Sequence, residues 1–203
     1  QYNWTGHLLA PVPNQSSATI AIVDSNLGVN KANQFIKRNL SIQIRDDPNL
    51  QTINLTAQYT NSSQSQTKQS GDYKNYLRVY LPPDAVVQSV SITDQNQDTQ
   101  AVDPEIDIQK NFLQLGIYFP LSIQTQSQIN IVFTTQKLTQ PNSSLTIRKQ
   151  SGTQDDEITF QIDSPRNLIL STPFPLQPVS SLTLTPHVPY NTVLSTDKLI
   201  IFN

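Results

Sequence analysis

Large apolar residues recur at every second position through most of the chain, the period of a strand with one buried face. Ile36, Arg38, Leu40, Ile42 and Ile44 share one such face, and Ile53, Leu55, Ala57 and Tyr59 share another. Between them lies Arg45-Asp46-Asp47-Pro48-Asn49. Asp and Asn bond their own backbone and Pro presets φ, so this is turn chemistry and the two runs predict a hairpin. Further strands are predicted at Ala18–Val23, Tyr76–Leu81 and Val86–Thr93, around Ile106 and Ile108, at Leu113–Phe119 and at Ile129–Phe133. Pro82-Pro83 ends one of these and Pro120 another. Asn33–Arg38 reads as a short helical turn, and Asn61–Asp72 as a polar loop. Past Gln136 the pattern restarts. Leu145 and Ile147 lead into Ser151–Asp156, and Ile158, Phe160 and Ile162 lead out, which predicts a second hairpin with Gly152 supplying a positive φ. Ser164–Pro189 is proline-rich and reads as loop with short edge strands. Leu182 with Leu184, and Leu199–Phe202, are the last strand candidates.

No 3.6-residue period runs long enough for a substantial helix. Short strands separated by turn signals predict an all-β, antiparallel sandwich of immunoglobulin-like type with two packed β lobes. The expected division is an N-terminal segment with one strand over residues 1–35, a sandwich lobe over 36–138 and a smaller β lobe over 139–203. The boundary is soft, between Leu138 and Asn142, and one continuous domain is the competing reading.

Composition narrows the setting. Apolar residues make up 36% and charged residues only 14%, and the difference is neutral and polar, with about two dozen Gln and about twenty each of Ser and Thr. Cys and Met are absent, which excludes a disulfide framework, a thiol nucleophile and a thiolate metal site. Starting at Gln1 without a Met, the chain is expected to be part of a longer or processed protein. The net charge is −2 and the cations are scattered, so the clustered positive charge that nucleic acid requires is missing. No apolar run approaches the length of a membrane span. A neutral, polar surface with few charges is typical of exported bacterial surface proteins, the lack of Cys fits a bacterial envelope protein and a reducing cytosol equally, and any membrane anchor would lie outside this chain. Asn-x-Ser/Thr triplets at Asn3, Asn14, Asn39, Asn54, Asn61 and Asn142 are close to what so much Ser and Thr yields by chance.

Four stretches go beyond composition: Val23–Asn33, Gly71–Pro82, Ile147–Thr153 and Leu194–Asp197. The Tyr-Lys-Asn-Tyr-Leu-Arg run at Tyr73–Arg78 is the most specific. In this order they resemble the C-terminal region of a bacterial membrane-anchored envelope family catalogued as a domain of unknown function (four-zero-one-two). The resemblance covers about Val23 to the end, with Ser151 standing where Pro is expected. It implies an outward-facing protein held by an N-terminal transmembrane helix, and no catalytic residues.

Candidate chemistry is sparse. Asp94, Asn96, Asp98, Gln100 and Glu105 copy the oxygen-ligand spacing of a calcium loop, yet Thr99 stands where the sharp turn needs Gly and the flanks are strands. Asp24, Asn26 and Asn30 form a weaker set of the same kind, with Phe35 at its last position. Otherwise these are polar connections. His7 and His187 are the only histidines, no Gly-x-Ser-x-Gly elbow exists, and five glycines are too few for a phosphate loop. No catalytic, cofactor or metal residue is assigned, and no cofactor is expected. A Lys–Asn crosslink would need Lys31 or Lys37 buried beside Asn167 or Asn203; otherwise these lysines are solvated. Trp4, Tyr73, Tyr76, Tyr80 and Tyr118 are the pool for sugar stacking, and core packing is the plainer role. Arg78 between Tyr76 and Tyr80 is a recognition patch or a structural cation–π stack. Asp197 reads as a turn cap.

The expected function is a non-catalytic extracellular module of an envelope protein, structural, display or adhesive, contacting envelope components or other surface proteins. A carbohydrate or cell-wall binding module and an ancillary domain of an envelope enzyme are the alternatives.

Overall fold

The computed structural model describes residues 17–139, 143–151, 153, 155–171, 182–184, 188–194 and 197–202. The strands are β1 (Ser17–Asn26), β2 (Ile36–Asp46), β3 (Leu50–Asn61), β4 (Tyr73–Leu81), β5 (Val86–Asp94), β6 (Thr99–Ala101), β7 (Glu105–Ile108) and β8 (Leu113–Leu121). They continue as β9 (Gln126–Gln136), β10 (Ser143–Arg148), β11 (Asp156–Asp163), β12 (Leu168–Ser171), β13 (Leu182–Leu184), β14 (Tyr190–Leu194) and β15 (Lys198–Phe202). A single turn of 3₁₀ helix, Ala32–Phe35, precedes β2, close to the predicted helical turn.

Two sheets pack face to face. One has the order β13-β12-β15-β10-β1-β4-β8-β7 and the other β14-β11-β2-β3-β9-β5-β6. Inward positions of both sheets form one apolar core, including Ile20, Ile42, Leu55, Leu77, Phe119, Phe133, Phe160 and Phe202. Most neutral polar strand residues occupy the outer positions: Thr56 donates to Asn130 across β3 and β9 at 3.0 Å, and Thr159 to Asn191 across β11 and β14 at 2.6 Å. The predicted β2–β3 hairpin forms in full register from Ile36↔Asn61 to Asp46↔Gln51.

Three expectations need correction. Both sheets are mixed rather than purely antiparallel, because β1 pairs with β10 and β2 with β11 in parallel. The second hairpin does not form: β10 and β11 lie in different sheets, so the chain passes from one sheet to the other between them. Alternation says which face of a strand is buried; it does not say which strand lies beside it. Lastly, β8 continues through Pro120 to Leu121. Its second neighbour, β7, covers it only as far as Gly116, so the missing N–H falls where one edge is open. Gly152 lies outside the described residues, as do Trp4, His7, His187, Asn203 and the triplets at Asn3, Asn14 and Asn142.

The parallel joints give the molecule two poles. β1 ends, β2 begins and β11 begins at one pole; β1 begins, β2 ends and β15 ends at the other. Near each pole the inward stripes carry polar residues: Asp24, Arg38, Tyr59, Asn75 and Asp156 near the first, and Asp46, Gln51 and Ser164 near the second.

Candidate functional site

At the first pole a polar cleft of about 570 Å³ opens between the β1–β2 connection and the connection from β10 to β11. Asp24, Arg38, Tyr73 and Asp156 form its floor. Arg38, 6% exposed, donates from Nε to Asp156 Oδ1 at 3.0 Å, from Nη2 to Asp156 Oδ2 at 2.6 Å, and from Nη1 to Asp24 Oδ2. Asp24 Oδ1 accepts from the Tyr59 hydroxyl at 2.8 Å and from Asn75 Nδ2 at 2.5 Å. Burial opposes the Arg38 charge, but coupling to Tyr59, Asp24 and Asp156 outweighs it and raises the pKa. Burial drives the Tyr59 and Tyr73 phenols upward, with Asp24 adding to both, so these hydroxyls stay protonated donors.

The walls are amides fixed by their own bonds. Gln150 brackets the Asp24 peptide, accepting from its N–H at 2.8 Å and donating to its carbonyl at 3.0 Å. Asn26 and Asn30 brace the loop after β1, and Asn30 Nδ2 reaches the Asp72 carbonyl at 3.0 Å. Gly71 closes this corner at φ +141°, a conformation that L side chains rarely adopt; a Cβ there would lie 2.1 Å from Gln66 Oε1. Arg148 and the Lys149 amide bind Asp197 at 2.6 and 2.8 Å, so Asp197 ties the start of β15 to the end of β10 rather than serving only its own turn.

A second cluster, at the opposite pole, joins β2 and β3 to the segment after β11. The Asp46 side chain is 0% exposed and accepts from Arg166 Nη2 at 2.8 Å, Ser164 Oγ at 2.7 Å and, through Oδ1, Gln51 Nε2 at 2.8 Å. Burial pushes the Asp46 carboxyl up, but the Gln51, Ser164 and Arg166 bonds outweigh it and hold it below the usual range. The Arg166 guanidinium lies 4.5 Å from the Phe202 ring centre.

The calcium-loop residues do not converge. Asp94 Oδ1 accepts from the Asn96 and Asp98 amides at 2.8 and 3.1 Å, closing the β5–β6 turn, with Gln97 at φ 68°. Glu105 lies in the other sheet and accepts from the Tyr76 hydroxyl at 2.5 Å. Among the described residues no three of His, Cys, Asp and Glu gather as a metal site. Asp24, Asn26 and Asn30 do come together, but Arg38, Tyr59 and Asn75 occupy the carboxylate. Lys37 pairs with Glu157 at 2.9 Å with its side chain 60% exposed, Lys31 is exposed, and Asn167 is exposed near the opposite pole, so the crosslink geometry does not form around them. Tyr73 is buried, Tyr76 and Tyr80 are half-buried and Tyr118 is exposed. Arg78 stacks on Tyr76 at 4.9 Å but not on both tyrosines, since Tyr80 meets Phe112 edge-on at 5.1 Å.

The Arg38 cluster went unremarked in the sequence. Its signal was there: a charged residue on an inward stripe, Arg38 beside Leu40, Ile42 and Ile44, must find a partner.

No family model matches the chain, and no curated protein matches it. Two solved structures align with it at a distance. A crystal structure from Legionella pneumophila described as "a putative nutrient binding protein" aligns with a TM-score of 0.48 and 9% identity, covering 93% of this chain and 71% of that one. One from Parabacteroides distasonis described as "a putative protease" aligns at 0.40 and 9% identity, covering 83% of this chain and 40% of that one. At such distance architecture carries no chemistry across.

Proposed function

We propose that this chain is a rigid, non-catalytic display module of a bacterial cell-envelope protein, held at the surface by a segment outside this sequence. The observation that carries the reading is the polarity of the fold. β1 begins and β15 ends at the Asp46 pole, with Ser17 beside Ser144 and Ser144 beside Ile201. Polypeptide joined to either strand leaves from that pole, and the cleft lies at the other. A module tethered this way holds its cleft outward. Rigidity supports the same reading: both sheets run through both lobes, and buried ion pairs join the lobes at each pole. The charged floor of the cleft is spent on holding strands together, which suits a scaffold better than proton transfer. Partners on this reading are envelope components or other surface proteins.

The test is accessibility in the native host. Intact cells producing the parent protein are treated with a membrane-impermeant amine reagent, and the exposed Lys31, Lys37 and Lys74 are mapped. Modification in intact cells is expected. Modification only after lysis would overturn the reading.

A further inference from the structure

The two broad outer faces of the sandwich differ. The face of the sheet holding β2, β3 and β9 is a ladder of Thr, Asn and Gln, such as Thr56 with Asn130. The face over β4 and β8 instead carries Tyr76, Tyr80, Tyr118 and the adjoining Phe112. Tyr76 and Tyr118 are direct cross-strand partners. Tyr80 lies four residues along β4, about 13 Å away at the rise of a strand. Between these aromatic pads sit Arg78 and, opposite it, Gly116.

Gly116 is the telling residue. Glycine inside a strand weakens it and marks close approach by another group. Here that group is Tyr76: a Cβ on Gly116 would lie 2.2 Å from the Tyr76 hydroxyl oxygen and 2.9 Å from its Cζ. The Tyr76 side chain therefore reaches across β8, where its hydroxyl donates to Glu105 at 2.5 Å. Arg78, itself donating to Ser25 Oγ at 3.0 Å, lies against its ring. The rotamer is set in advance, so a ligand would meet a pre-ordered aromatic surface.

We infer that this strip, Tyr118, Tyr76, Arg78, Tyr80 and Phe112, binds a neutral oligosaccharide along the sheet face. The inference rests on the display reading and names the class of partner. Sugar rings offer flat C–H faces to aromatic surfaces and hydroxyls to Arg78, Glu105 and Gln114. The charges decide against other ligands. One Arg78 beside one Glu105 leaves the strip without net charge, and the whole chain carries −2, which disfavours nucleic acid. An extended peptide would seek main-chain partners, but β4 is paired on both sides and β8 is paired on both sides as far as Gly116.

The 203-residue chain, ¹⁵N-labelled, is titrated separately with cellotetraose, chitotetraose and mannotetraose to about 5 mM, the range of weak single-site binding. At least one sugar is expected to shift the amides of β4 and β8. Tyr118→Ala is expected to weaken it about tenfold, the scale of one lost aromatic contact. Gly116→Ala, which displaces the Tyr76 ring, is expected to weaken it as well, and Tyr76→Phe, which keeps the ring, less. Ser151→Trp, which obstructs the polar cleft, is expected to leave binding unchanged. Response to none of the three sugars overturns the inference, as does binding lost in Ser151→Trp and kept in Tyr118→Ala. Neither result bears on surface labelling of intact cells, so the display reading and the sugar site fail separately.

Discussion

Replacing Arg38 by Met tests whether the buried ion pairs hold β1, β2 and β11 together. Arg38 lies on β2, Asp24 on β1 and Asp156 on β11, so one guanidinium links both sheets. Met fills the aliphatic part of the space and removes the charge. Asp24 keeps the Tyr59 and Asn75 donors, whereas Asp156, at 4% exposure, loses bonds of 3.0 and 2.6 Å from Arg38. Removing one partner of a buried pair costs about 3–5 kcal/mol, because the remaining charge is left uncompensated. With one of the two carboxylates still bonded, the expected loss is about 4 kcal/mol, or about 8–16 °C in Tm for a domain of this size. The double variant Arg38→Met, Asp156→Leu removes the stranded charge as well and is expected to recover most of the loss. Calorimetry and urea unfolding of both variants at pH 7 decide it. A single variant within about 1 kcal/mol of wild type, or a double variant no better than the single one, would refute the argument that Asp156 depends on Arg38.

Acid should act on the other pole. Asp46 has a lowered carboxyl pKa in the folded state, so its stabilisation is complete above the unfolded value of about 4 and is lost as pH falls through the folded value. Asp46→Asn is therefore expected to flatten the acid side of the stability–pH curve, and an unchanged slope in acid-titrated urea melts would count against it. Asn61 donates to the Gly71 and Leu121 carbonyls at 2.9 and 3.1 Å. Asn61→Ala leaves both acceptors short and is expected to cost about 2–3 kcal/mol by urea unfolding. Gly71→Ala forces a side chain into a positive φ and against Gln66, and is expected to lower Tm measurably; an unchanged Tm would count against it. Thermal melts in calcium and in EDTA are expected to coincide, since Asp94 Oδ1 accepts from the Asn96 and Asp98 amides and Glu105 lies in the other sheet; a rise with calcium would restore the loop as an ion site.

Period-two alternation alone specified an all-β sandwich, the faces of its strands and the first hairpin, because burial of one face is a local, repeating demand on the chain. It also put Arg38 on an inward stripe beside Leu40, Ile42 and Ile44, where a charge needs a partner, without naming that partner. What alternation cannot contain is the neighbour. The parallel pairing of β1 with β10 joins residues more than a hundred positions apart, and nothing local distinguishes the connection after β10 from a hairpin turn. The same limit applies to the sites. Asp94 and Glu105 are close in sequence and sit in different sheets, whereas Asp24, Arg38 and Asp156 are scattered in sequence and share one guanidinium. Gly116 shows it at the scale of one side chain. As a sequence position it is a weak point in a strand; only packing reveals that its missing Cβ is the space through which Tyr76 reaches Glu105.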